Sequence, residues 1–121
     1  MFTVEVDQSA LGQAHACRVD GNYDEACRLY QQLADASPGA AEVWWGLGLT
    51  IMNMGEFDRA IECLEKAAEL EPENQRYVLD LGKHYAMLGM DEEAKATFER
   101  AVTINPSSRE GVEATTQLTY Y

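Results

Sequence analysis

Apolar residues in this chain recur at steps of three and four. Between Phe57 and Leu70 they fall at Phe57, Ala60, Ile61, Leu64, Ala67 and Ala68, the spacing of one buried helix face. The stretch from Ala41 to Met54 predicts a partner helix. Gly55 separates the two and can take the left-handed backbone that ends a helix cheaply. Pro72 lacks an amide donor and restricts the residue before it, so it stops the second helix. Residues 41–72 therefore read as a helical hairpin, with small Gly48 and Ala60 letting its two helices approach and Trp44 and Leu64 filling the space beside them.

The hairpin is repeated. Pro38, Pro72 and Pro106 stand 34 residues apart, as do Gly21, Gly55 and Gly89, and Ala26, Ala60 and Ala94. Three signals in register make a tandem repeat, written 7–40, 41–74 and 75–108. After Pro106, Ser107 and Glu110 match a capping box, so a further helix is expected over about 108–118. The leading residues 1–6 alternate too briefly to assign and are expected to form a flexible arm.

Trp44, Leu47, Gly48, Ile51, Gly55, Phe57, Ala60, Leu64, Ala67 and Pro72 resemble the signature of the tetratricopeptide repeat (TPR). The third repeat keeps Leu81, Gly82, Tyr85, Gly89, Ala94, Phe98, Ala101 and Pro106, with Val78 in the Trp place and Asp91 where repeat two has Phe57. The first is degenerate in front, with Ala10, Gln13, Ala14 and Cys17. It recovers at Gly21, Tyr23, Ala26, Tyr30 and Pro38. The resemblance covers residues 7–108 and implies an all-α fold: tandem helix-turn-helix repeats stacked as a short right-handed α-solenoid of about seven helices, one domain over 1–121. Such a stack offers a curved surface rather than a catalytic pocket.

In TPR proteins the first helices of the hairpins line a concave groove. Carried onto this chain, that surface comprises Leu11, His15, Arg18, Trp45, Leu49, Met52, Asn53, Arg76, Leu79, Lys83 and Met87. Its middle is expected to be apolar, through Trp45, Leu49, Met52, Leu79 and Met87. Trp44 accounts for the signature position, so Trp45 is either a binding anchor or packs against the neighbouring repeat or the amino-terminal arm. Some TPR domains grip a terminal carboxylate. The matching places here hold Leu11, His15, Gly46, Arg76 and Asp80, and only Arg76 keeps that chemistry. The Asn ladder of some long TPR superhelices is replaced by Gly12, Gly46 and Asp80.

Charge sharpens the partner class. The chain has 21 acidic and 9 basic residues, a net of −12, which argues against nucleic acid and anionic membranes. The acidic clusters, Glu56 and Asp58, Glu62 to Glu73 and Asp91 to Glu93, fall on second helices and turns. Arg18, Arg76, Lys83 and His15 project toward the groove. The expected ligand is therefore a protein or peptide with apolar anchors and acidic residues.

Three cysteines, Cys17, Cys27 and Cys63, lack zinc spacing, and no cofactor or metal is expected. No run approaches the length of a membrane span, and Met1 to Val6 lacks the basic charge of a secretory signal. These features predict a cytoplasmic chain with no direct membrane insertion. Neither a phosphate loop nor a nucleophile turn is present. The expected function is a non-catalytic interaction module, an adaptor, scaffold or co-chaperone. The alternatives are a self-assembling scaffold forming homo-oligomers and a secretion-type chaperone shielding an apolar segment.

Overall fold

The computed structural model describes residues 5–121. Among them are seven α-helices: α1 (Gln8–Val19), α2 (Tyr23–Ala36), α3 (Ala41–Asn53), α4 (Phe57–Leu70), α5 (Gln75–Met87), α6 (Asp91–Ile104) and α7 (Arg109–Leu118). The hairpin punctuation is the same each time. Gly21, Gly55 and Gly89 have φ of 81°, 84° and 74°, a conformation a β-carbon would strain. Helices α2, α4 and α6 end two residues before Pro38, Pro72 and Pro106. Of the leading arm, residues 1–4 lie outside the described residues, and Glu5 to Asp7 precede α1.

The helices form two compact units, one through Leu70 and one from Glu71 to Tyr121. The first unit holds α1 to α4. Asp7 caps α1 by accepting a hydrogen bond from the Ala10 amide at 3.1 Å. Within the α3–α4 hairpin, a β-carbon on Gly48 would come within 2.8 Å of Leu64 Cγ and 3.2 Å of the Ala60 carbonyl. Glycine is thus what lets the two helices close. Leu47, Ile51, Ala60, Leu64 and Ala67 are buried around that contact. Trp44 is only half-buried, its indole N–H donating to the Pro38 carbonyl at 2.8 Å.

The second unit holds α5 to α7. Phe98 on α6 lies against Gly82 on α5, where a β-carbon would meet Phe98 Cε1 at 2.8 Å. The start of α7 departs from the expected capping box. Ser108, not Ser107, is the cap, and its Oγ accepts from the Gly111 amide at 2.9 Å. Gly111 sits so close to the Asn105 carbonyl that any side chain there would overlap it. Glu110 is therefore displaced from the reciprocal place in the box by a glycine that seats the helix. Gln75 completes the join. Its Nε2 donates to the carbonyls of Ala101 and Asn105, each at 2.8 Å, and its Oε1 accepts from Ser108 Oγ at 2.6 Å.

Candidate functional site

The first unit gathers a network on α1, α2 and α3. Tyr30, on α2, is fully buried, and its ring crosses α3 at Gly46, where a β-carbon would collide with it. That crossing brings the Tyr30 hydroxyl to His15 Nδ1 and to Arg18 Nε–H, which donates to it at 3.2 Å. His15 Nε2 lies 3.2 Å from Glu42 Oε1. Donors and acceptors match when Tyr30 O–H donates to Nδ1 and Nε2–H donates to Glu42. Burial raises the Tyr30 pKa above its ordinary value, a shift opposed by the Arg18 hydrogen bond and charge. The hydroxyl therefore stays protonated and able to donate.

Trp45 joins the same surface. The Arg18 guanidinium carbon sits 5.2 Å from the centroid of its ring, and the His15 ring meets it edge-on at 6.2 Å. A cation over an indole contributes about 0.5–1 kcal/mol at an exposed site. With Nε engaged by Tyr30, the two Nη groups of Arg18 make no hydrogen bond among the described residues. Arg18 is thus oriented by an aromatic ring and a phenol, with the planar donors that match a carboxylate still available.

A model of the tetratricopeptide repeat matches residues 20–77 and 52–118. The chain belongs to the tetratricopeptide repeat family. It is 31% identical over 87 residues to the protein SGT1 homolog of Oryza sativa, covering 72% of this chain and 24% of that protein. It is 27% identical over 115 residues to TPR repeat-containing protein YpiA of Bacillus subtilis, covering 89% and 27%. The chain thus spans about a quarter of the length of these two relatives. Among solved structures, the first TPR of Spaghetti (RPAP3) bound to an HSP90 peptide superposes with a TM-score of 0.86 at 22% identity, over 99% of this chain and 94% of that one. The Yersinia enterocolitica type III secretion translocator chaperone SycD gives 0.85 at 19% identity, over 93% and 81%. Both share the fold.

Within this TPR chain the expected groove residues divide by burial. His15, Arg18, Trp45 and Leu49 are half-buried, and Asn53, Arg76, Lys83 and Met87 are exposed. Asn53 Nδ2 donates to the Leu49 carbonyl at 2.9 Å. The apolar floor expected from Met52 and Leu79 has a different geometry: they are 8% and 2% exposed, and Leu11 is also buried. Helix periodicity turns these side chains inward, so they support the surface rather than present it. Gly46 is likewise covered, by Tyr30, rather than open on a groove.

In the second unit, Arg76, Leu79, Asp80 and Lys83 of α5 face Arg109, Glu110 and Glu113 of α7 across a cleft of about 340 Å³. Lys83 Nζ donates to Glu113 Oε1 at 2.8 Å, and Arg76 Nε lies 3.6 Å from Asp80 Oδ2. The cleft is internally charge-balanced. His84 is occupied locally, its Nδ1 lying 2.6 Å from the Asp80 carbonyl.

The sequence reading missed Tyr30 and Gln75 as organising residues. Tyr30 was visible only as a signature aromatic, and its reach to Arg18 depends on Gly46 three-dimensionally opposite. Gln75 is a polar residue at a helix start, and no local pattern marks its carbonyl partners. The cysteines are free thiols; burial pushes Cys63 up to about 11, so it is a poor nucleophile at neutral pH. No helix among the described residues is long and apolar enough to cross a membrane.

Proposed function

We propose that this TPR chain is a protein-interaction module, without catalytic chemistry of its own, that holds a peptide or helix against its first helices. The observation that carries the reading is Arg18, fixed over Trp45 and against Tyr30 while its Nη groups remain unengaged among the described residues. A guanidinium held in one orientation loses less freedom on binding a carboxylate than a mobile one. The Trp45 ring offers the neighbouring apolar contact. The preferred ligand is a segment with an apolar side chain close to an Asp or Glu. In the second unit, Arg76, Lys83 and Met87 are the exposed residues of the same first-helix register. The three free thiols support a reducing, cytoplasmic setting.

Likeness to the secretion chaperone extends to fold alone. The reading is tested by peptide-display selection on the wild type, followed by Kd measurements on Arg18→Ala and Trp45→Ala. Selected peptides should pair an apolar residue with a carboxylate, and each substitution should weaken them by roughly tenfold, the effect of losing about 1.4 kcal/mol. Unchanged affinity in both variants overturns it. Leu79→Glu is unsuitable as a probe because it would bury a charge. Sedimentation of the wild type checks the self-assembly alternative, which predicts a mass rising with concentration.

A further inference from the structure

The first unit carries a second surface with the opposite chemistry, at its hairpin turns. Met54 is 38% exposed and Phe57 45%. Met54 lines a depression of about 390 Å³ with Gly21, Asn22, Tyr23 and Asp24, so the two turns adjoin. Gly55 to Arg59, Phe57 included, line another of about 430 Å³. Val19, just before the first turn, is largely exposed. Around these apolar groups stand Asp20, Asp24, Glu56 and Asp58. Arg59, which lines the second depression from the first turn of α4, is engaged by Glu56 at 3.8 Å and by Gln31 at 2.9 Å. None of Asp20, Asp24 and Asp58 is paired with a cation among the described residues.

We infer that this turn edge docks a cationic amphipathic segment of a partner protein, a short helix or strand with apolar residues flanked by Lys or Arg. The occupant follows from charge. Apolar groups rimmed by four carboxylates favour a partner that brings positive charge. A second copy of this chain would bring net −12, and an anionic bilayer would be repelled. Helix electrostatics place Asp24 and Asp58 in the first turns of α2 and α4, but that role needs neither Met54 nor Phe57 in solvent. The second unit repeats the composition, with Met90 exposed at the α5–α6 turn before Asp91, Glu92 and Glu93. This surface shares no residue with the Arg18–Trp45 site, and the two readings stand or fall separately.

The test titrates the full chain with three synthetic peptides of equal length: one of Leu and Lys, one of Ser and Lys with the same charge, and one of Leu and Glu. The Leu/Lys peptide should bind, with affinity falling as salt rises, and the other two should bind more weakly. Met54→Ser with Phe57→Ser should weaken it by roughly tenfold, while Val112→Ser, at an exposed position on α7, leaves it unchanged. Asp24→Asn with Asp58→Asn should also weaken it and flatten the salt dependence. Both side chains are partly covered, Met54 38% and Phe57 45% exposed, so circular dichroism and a thermal melt confirm that each variant stays folded. Equal binding of the Ser/Lys peptide, or full affinity in the Met54→Ser, Phe57→Ser variant, overturns the inference. So does a concentration-dependent dimer that the same double substitution abolishes, because the occupant would then be a second copy.

Discussion

Tyr30 and Phe98 occupy the same place in the repeat, and their surroundings differ. Phe98 packs over Gly82 within its own hairpin and is fully buried. Tyr30 is buried equally well, yet its glycine, Gly46, belongs to the next hairpin. Ala14, itself fully buried, stands where Gly48 and Gly82 stand in the other repeats. The ring of Tyr30 lies across α3 at Gly46, and its hydroxyl meets His15 and Arg18. The degenerate repeat thus links the core of the first unit to the surface proposed to bind a partner. The regular repeat in the second unit keeps core and surface apart.

The largest test truncates each ring. Tyr30→Ala and Phe98→Ala should each cost about 3–5 kcal/mol, the range for aromatic removal from a packed core, read by urea unfolding. Only Tyr30→Ala should move the Trp45 indole N–H resonance under native conditions, because only it releases Arg18. Equal movement in both variants would mean that Tyr30 supports the surface no more than any core residue does.

A pair of glycines gives opposite signs. Gly46 and Gly12 share a repeat position. Gly46→Ala would drive a methyl into the Tyr30 ring and should cost about 1–3 kcal/mol. Gly12 has open space around it, inside α1, so Gly12→Ala should stabilise by about 0.5–1 kcal/mol. Thermal melts of the two variants decide it, and undiminished stability of Gly46→Ala would contradict the packing described for Tyr30.

A smaller effect isolates the hydroxyl. Tyr30→Phe keeps the ring over Gly46 and removes the group that engages His15 and Arg18, at a cost of about 1 kcal/mol. Acidic-peptide affinity should fall with it, since Arg18 loses its support. Retained affinity would show that Trp45 alone orients the guanidinium.

Much of the fold was legible because its determinants are local. Gly55 with positive φ, Pro72 past the helix end and the three-four spacing of α4 each act within a few residues, and the repeat registers them three times. The surface was harder to read. Periodicity places Met52 and Leu79 on the first-helix register but does not say how deeply neighbouring side chains bury them. The link from Tyr30 to Arg18 runs across Gly46, a residue of the next hairpin. The capping box failed for a related reason: Gly111 is required by the Asn105 carbonyl, a contact invisible to a motif that spans four residues.

The smallest expected effect probes the second unit's cleft. Lys83 and Glu113 meet at 2.8 Å, but both side chains are more than a third exposed, 42% and 39%. An exposed pair gains little from Coulomb attraction in water and loses side-chain freedom on pairing, so a double-mutant cycle should return about 0.2–1 kcal/mol. The coupling should shrink as salt rises, because solvent ions screen it. The Tyr30–Arg18 contact should keep more of its coupling in the same salt series, since the phenol is buried and uncharged. If Lys83–Glu113 instead couples strongly and resists salt, the second unit has a rigid charged surface too. The contrast drawn from Tyr30 and Phe98 would then lie in chemistry alone, not in how firmly each surface is held.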